Sequence, residues 1–328
     1  MKKDSNSKNQ IESKYVHGIQ DFVKKIIHII VVLLSVSFLT FLLMDLAPGE
    51  PGTSMYDAAG IIPTEEMLAL TREQLGLNQP LMTRYFSWLV QCIQGDLGTS
   101  FSQHDEVKNL ISKNMKSTLT MAFSILALTL LFSIPLGVLS AVARDKIPDH
   151  LVRFLSFIGI SAPNFLVALI LTYVISYQLG WLPVYNPYGS KTAYILPVLT
   201  MVIGMTGNYT RQIRALFLEE LSQDYVYGAR ARGVSEIKIL SRHVMRNTLL
   251  PLTTLIAFSL GSLLGGVAIV EVIFSFPGIG NLLIYAVDMR DYPLIQGLVL
   301  WIALCYTLLN VFSDLLYPVF DPRLKKSS

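Results

Sequence analysis

The chain has only two cysteines in 328 residues, Cys92 and Cys305. One falls in a stretch read as external and the other in a run read as a membrane span. They are therefore not read as a pair, and a disulfide framework or Cys-rich metal site is excluded. Charge is also scarce. Charged residues make up 15% of the chain, against about 25% in a soluble domain. Histidine occurs five times, at His17, His28, His104, His150 and His243, and no two have metal-ligand spacing. There is no GxxxxGK[ST] to cradle ATP phosphates, and no HExxH or GxSxG. No catalytic, cofactor-binding or metal residue is assigned, and a membrane enzyme lacks a nucleophile–base arrangement. A cleavable signal peptide is not expected: residues 1–25 are polar, and the first apolar run is long enough to stay in the membrane.

What is abundant is apolar surface. Apolar residues make up 52% of the chain and the mean hydropathy is +0.50. The expected fold is an all-α polytopic membrane protein. The reading begins with a polar, disordered cytoplasmic segment over 1–25 and a first span over 26–44, about as long as the bilayer core is thick. A polar helical insert over 45–116 follows, then a five-helix core over 117–318 and a cytoplasmic tail over 319–328. The second span is expected between Lys116 and Arg144, and the third from Arg153 to Gly180 with Pro163 near its start. The fourth is expected between Lys191 and Arg211, the fifth between Arg246 and Glu271, and the sixth between Asp291 and Asp314. Trp181, Tyr185 and Tyr188 sit where an aromatic belt is expected, and Gly261 and Gly265 form a GxxxG pair on the fifth span.

Lys and Arg number 19 in residues 1–25, 144–153, 208–250 and the tail, and 7 in the other loops. Positive charge concentrates on the cytoplasmic side. Both termini and the 211–250 loop are therefore expected in the cytoplasm, and the 45–116 insert outside. Within the insert, a helix is expected from Thr64 to a stop at Gly76. Another starts at Pro80, carries Tyr85, Trp88, Leu89, Cys92 and Ile93 on one stripe, and ends at Gly95. These small apolar faces imply a cap packed on the outer surface.

The stretch Glu219–Pro251 carries Arg230, Arg232, Lys238, Arg242, His243 and Arg246 around a small centre of Gly228, Ala229, Ala231 and Gly233. It reads as two short helices broken at Gly233, with Gly233 in the left-handed position and Ser235 capping the second helix. An ordinary basic loop, a DNA-binding helix–turn–helix and a docking helix all fit this pattern. Its residues narrow the choice. Asp224-Tyr225-Val226, Ala229-Arg230-Ala231-Arg232-Gly233, Arg242-His243, Arg246-Asn247 and Leu250-Pro251 together resemble the coupling ("EAA") loop of ABC importer permeases, in the oligopeptide, dipeptide and nickel branch. The name-giving triplet is Tyr227-Gly228-Ala229 here, as is typical of that branch. The resemblance implies a coupling helix for a separate ATPase subunit, with Asp224, Tyr225, Tyr227, Gly228, Ala229, Arg230, Ala231, Arg232, Gly233 and Glu236 at the contact.

A second segment supports the same family. It holds Glu271, Phe274-Ser275-Phe276, Pro277-Gly278-Ile279-Gly280, Arg290-Asp291-Tyr292-Pro293 and Gln296-Gly297. The strings LGLNQPL (75–81) and GDLGTSF (95–101) match in the expected places. A charge deep in lipid costs about 2.5–3.5 kcal/mol on insertion scales, so Glu271 must face a partner, water or the pore. It is read either as a cap for the turn before Pro277 or as a pore or gate residue. Phe274, Pro277, Gly278 and Gly280 join it as gate candidates. Asp288, Arg290 and Asp291 are placed at the outer mouth, as a local salt-bridge cluster or as gate residues. Thr64, Glu66, Pro135, Gly137, Arg144, Asp145, Pro148 and Asp149 belong to strings closer to nickel permeases than to oligopeptide ones.

The resemblance implies one pore subunit of an ATP-driven importer in the bacterial plasma membrane, moving nickel or metal chelates or short peptides by alternating access. The implied partners are a homologous second permease, two ABC ATPase subunits carrying ATP and Mg, an extracytoplasmic solute-binding protein and membrane lipid, with no nucleic acid. The alternative is a secondary transporter driven by an ion gradient.

Overall fold

A computed structural model describes residues 2–47, 56, 61–74, 78–183 and 190–320. Among these the regular structure is helical, and β structure is limited to one isolated bridge between Thr99 and Glu106. The helix stop at Gly76, Tyr185, Tyr188 and the tail from Asp321 lie outside the described residues, as do the side chains of Asp314 and of the Gly261/Gly265 pair. The chain divides into two compact units, one formed by 1–109 with 286–312 and the other by 110–285 with 313–328.

The first unit begins with α1 (Lys2–Leu46). α1 runs from the apolar span back to Lys2, through the stretch read from the sequence as a polar segment. No Pro or Gly before Gly18 interrupts it. Next come α2 (Glu65–Gln74), with Glu65 and Glu66 in its first turn, and α3 (Leu81–Ile93). Pro80 opens α3. Gly95, at φ +86°, closes it, with the Gly95 N–H donating to Cys92 O and the Asp96 N–H to Gln91 O. Tyr85 and Trp88 of α3 are buried against Phe41, with Phe38, Leu89, Cys92 and Leu300 around them. Ile93 does not share that face, being 80% exposed.

The second unit takes up α4 (Val107–Val142), a 36-residue helix that passes through Pro135. α5 (Ile147–Ser161) and α6 (Asn164–Leu171, continued by a π-helical stretch Thr172–Gln178) follow. The single third span expected from Arg153 to Gly180 is instead a pair of helices bent by 100°. Pro163 is the cause: it forces Ala162 into an extended conformation with ψ 123° and ends α5 at Ser161. α7 (Ile195–Leu221) crosses α5 at small residues. A Cβ on Gly207 would sit 2.6 Å from Ser156 O, and one on Gly159 2.9 Å from Ile203 O. Only glycine permits this backbone approach. The unit continues with α8 (Asp224–Ala231), α9 (Glu236–Lys238, continued by Ile239–Val244), α10 (Met245–Ile273) and α11 (Ile279–Asp288); from residue 286 to 312 the chain belongs again to the first unit, which takes in most of α12 (Tyr292–Phe320).

Three helical stretches among the described residues are long and apolar enough to cross a membrane: Val23–Leu46, Val107–Val142 and Tyr292–Val311. The bent pair makes a fourth if counted as one span. α7 and α10 stand where two further spans are expected, and their 27 and 29 residues are long enough to cross at about 1.5 Å per residue.

Candidate coupling loop and buried carboxylates

α7 ends at Leu221, and the extended Gln223 (ψ 148°) starts α8 in a new direction. α8 is anchored by two residues three apart. Val226 and Ala229 are buried in a cluster with Tyr209, Ile213, Phe217, Ile239 and Val244. The other side of α8 is open: Tyr225, Tyr227, Arg230, Ala231, Arg232, Gly233 and Glu236 are all exposed, as is Asp224, while Gly228 is half-buried. Gly233 takes φ +74°, its N–H donates to Arg230 O, and the Val234 N–H donates to Ala229 O. This is the glycine-closed helix end read from the sequence. Ser235 holds the next cap position, but its side chain makes no capping bond.

Arg230 donates to Glu236 through Nε (2.6 Å) and Nη2 (3.1 Å), which ties the two sides of the Gly233 turn together. Arg230 holds the Glu236 carboxyl below its ordinary value. The pair is therefore complete at neutral pH and is lost only as the pH falls through that lowered value. Tyr225 Oη and Asn247 Nδ2 both donate to Glu220 Oε2, which fixes the root of the loop.

Glu271 is fully buried at the end of α10. Its Oε2 accepts from the N–H groups of Gly280 (2.7 Å) and Asn281 (3.1 Å), and its Oε1 accepts from Thr118 Oγ1 (2.6 Å). Thr118 Oγ1 in turn accepts from the Ile279 N–H (2.9 Å). The open N–H groups of the first turn of α11 thus close on one carboxylate and one hydroxyl, where the helix dipole favours negative charge. Glu271 caps the helix that follows Pro277 rather than the turn before it, and it is buried within this chain. The Pro277-Gly278-Ile279-Gly280 motif follows from it. A Cβ on Gly278 would fall on the Glu271 carboxylate, and one on Gly280 would fall on Ala268. Phe274 is half-buried at the C-cap of α10, and Ser275 takes φ +48° to turn the chain. Phe276 is buried edge-on against Tyr194, with ring centroids 4.8 Å apart.

Asp291 is also fully buried. Its Oδ2 accepts from Ser100 Oγ (2.6 Å), the Ser102 N–H (2.9 Å) and Ser102 Oγ (2.7 Å), and its Oδ1 accepts from the Leu294 N–H (3.3 Å) at the start of α12. The salt-bridge cluster expected of Asp288, Arg290 and Asp291 does not form among the described residues. The oxygens of Asp291 are taken by hydroxyl and backbone donors, and Asp288 and Arg290 point to the surface. The pairing of GDLGTSF with Arg-Asp-Tyr-Pro was not visible in the sequence. Two separated strings that carry Ser-x-Ser and a helix-capping Asp were the only signal. Replacing Asp291 with Asn puts an NH2 or a lone carbonyl before three donors. A loss of about 1–3 kcal/mol is expected, since a buried donor is left unsatisfied. Faster proteolysis of the 98–106 loop in the purified permease, with a lowered Tm, checks this.

A third buried carboxylate, Asp149, was read only as a mark of kinship. Arg214 donates to both its oxygens at 2.8 Å, Ser140 Oγ donates to Oδ1 at 2.5 Å, and the Asp145 N–H donates to Oδ2 at 2.9 Å. Asp145 takes φ +60° to aim that N–H. Arg153 lies 3.5 Å from Oδ1. This knot ties the end of α4 and the start of α5 to α7, four residues before Leu218 and the descent into α8. An apolar cavity of about 620 Å³ opens beside it among α4, α5, α6 and α7, lined by Phe132, Leu155, Leu199 and Ile203 among others and by no charged residue.

Among the described residues, long apolar helices and an exposed loop of small and basic residues are the features of a multi-pass membrane protein. No group of three or more potential metal ligands occurs among the described residues. The chain belongs to the family of binding-protein-dependent transport system inner membrane components, which it matches over residues 133–326, with the N-terminal domain of the same systems matching residues 19–122. It is a permease of the peptide branch of ABC importers and a multi-pass protein of the bacterial plasma membrane. It is 39% identical over 303 residues to a putative peptide permease of Brucella ovis, covering 89% of this chain and 95% of the relative. It is 37% identical over 303 residues to the glutathione transport system permease GsiC of Salmonella typhimurium, covering 92% and 98%. In fold it resembles a chain of the inward-facing MetNI methionine ABC transporter, with TM-score 0.54 and 18% identity over 65% of this chain and 96% of that one. The expected kinship to nickel permeases gains no support from these relatives, which are named for peptide and glutathione.

Proposed function

We propose that this chain forms one half of the translocation pore of an ATP-driven importer of short peptides, glutathione-like peptides included. It has six spans, both termini in the cytoplasm, and works by alternating access. Its partners are a second homologous permease, two ATPase subunits that hold ATP and Mg, and an extracytoplasmic solute-binding protein. The full-length likeness to peptide and glutathione permeases supports the cargo class. A nickel or metal chelate remains the second cargo reading only through the sequence strings that favour it. A transporter run by an ion gradient without an ATPase is not supported. The family and the full-length relatives are ABC importer permeases, and among the described residues the buried Asp149, Glu271 and Asp291 each have donors within this chain.

The observation that carries the coupling role is α8. Val226 and Ala229 lock one side of it into the core, while Tyr227, Arg230, Ala231, Arg232 and Gly233 present a small, basic rim. Motion of a partner against that rim passes directly into α7 and its knot with α5. A Cβ at 233 would have nothing within 4 Å, and φ +74° strains any other L-residue there, so a bulky variant is paired with one that tolerates the left-handed conformation. Gly233→Trp is expected to abolish ATPase co-purification and uptake while membrane levels stay normal. Gly233→Asn, which tolerates the left-handed conformation, is expected to retain most of both. Equal behaviour of the two variants, or unchanged ATPase association in Gly233→Trp, counts against the assignment.

A further inference from the structure

We infer that α3 (Leu81–Ile93) lies within the outer acyl boundary of the bilayer, with one of its faces against lipid, rather than in an aqueous cap. The first observation is depth. α3 packs on α1 at Phe38 and Phe41, with Tyr85 Oη donating to Leu34 O (3.3 Å) and sharing a hydrogen bond with Ser37 Oγ (3.0 Å). Phe38 lies about 12 Å before the end of α1 at Leu46, and Phe41 about 8 Å, at 1.5 Å per residue. α12, which starts beside that end with Tyr292 Oη donating to Met44 O, gives the same answer. Its Leu300 touches the Phe41–Tyr85–Trp88 cluster about 12 Å into the helix. Two candidate spans thus place α3 at one depth, inside both of their ends.

The second observation is the pattern of exposure. Tyr85, Trp88 and Cys92 use only part of the apolar arc of α3. The rest is open: Met82 is 51%, Phe86 58%, Val90 55% and Ile93 80% exposed, at helical spacings of four, four and three. At the same level α1 is open as well, with Leu39 54% and Leu43 58% exposed. Thr83, Ser87, Gln91 and Gln94 form a separate exposed polar stripe. The one charge between Leu81 and Gly95 is Arg84, and it reaches Asp45 at the outer end of α1. A long cation drawn toward the membrane surface, an open apolar face below and a hydroxyl–amide stripe are the features of a helix set in the interface plane.

The test uses the full chain in vesicles of phosphatidylethanolamine and phosphatidylglycerol. Cys92→Ser and Cys305→Ser remove the native thiols, and a fluorescent thiol label is placed singly by Phe86→Cys, Val90→Cys, Ser87→Cys or Gln91→Cys. Labels at 86 and 90 are expected to lose most of their fluorescence to lipids brominated on the acyl chain and little to aqueous iodide. Labels at 87 and 91 are expected to show the reverse preference. Iodide quenching at 86 and 90 without lipid quenching would overturn the inference in favour of an aqueous cap. Protection from both quenchers would overturn it in favour of a protein partner on this face. The readout involves neither ATP nor cargo, so it is independent of the proposed transport cycle.

Discussion

Asp149→Ala is expected to lower the stability of the permease by about 3–5 kcal/mol, the cost of stranding one partner of a buried ion pair. Arg214 is mostly buried, and both its contacting nitrogens are committed to Asp149. Ser140 and the Asp145 N–H lose their acceptor at the same time. The effect is therefore larger than that of an exposed pair such as Arg144–Asp145, for which about 0–1 kcal/mol is typical. Arg214→Leu alone leaves Asp149 a buried carboxylate with only weaker partners and is expected to be nearly as harmful. The Asp149→Ala/Arg214→Leu pair removes both charges and is expected to melt above either single variant. Thermal unfolding of the purified permease measures all three. Simple additivity would mean that the two residues act separately. Because the knot joins α5 to the helix that feeds α8, the single variants are also expected to lose uptake while still binding the ATPase subunit.

Gly278→Ala is expected to cost at least the about 1–3 kcal/mol of an overpacked core, with further loss because the new Cβ displaces the Glu271 carboxylate from the N–H groups it caps. Glu271→Ala fails for the opposite reason. It leaves the Gly280 and Asn281 N–H groups and the Thr118 hydroxyl without their acceptor, at about 1–3 kcal/mol for each group left buried and unsatisfied. The decisive result is the combination. In a Glu271→Ala background the space is already vacant, so adding Gly278→Ala is expected to cost little. Such strong non-additivity is the mark of two residues in contact. If the two losses simply add, the carboxylate does not occupy the space above Gly278.

The sequence carried the long elements well, because each is set by a local signal. Apolar length marked α1, α4 and α12, and Gly233 marked the end of α8 through a left-handed turn that glycine adopts freely. It was less able to show how elements meet. The third span was expected as one element because both halves are apolar. The backbone restriction at Ala162-Pro163 decides the 100° bend, and composition does not register it. The carboxylates were harder still. Glu271, Asp291 and Asp149 each find donors far along the chain, at Thr118, Ser100 and Arg214. The sequence could say that a charge in an apolar run needs a partner, but not which one. Residue 84 shows the same limit: nothing in the sequence pairs Arg84 with Asp45, which sits at the end of the first span.

The central claim is that the rim of α8 receives the force of ATP hydrolysis from a separate subunit. Tyr227 is 58% exposed on that rim. A cysteine there, in a chain without Cys92 and Cys305, should cross-link to the ATPase subunit in membranes, with a yield that changes when ATP is added, and uptake should stop when the ATPase subunits are withheld. Absence of the cross-link while uptake continues, or full uptake in vesicles lacking any ATPase, would contradict it.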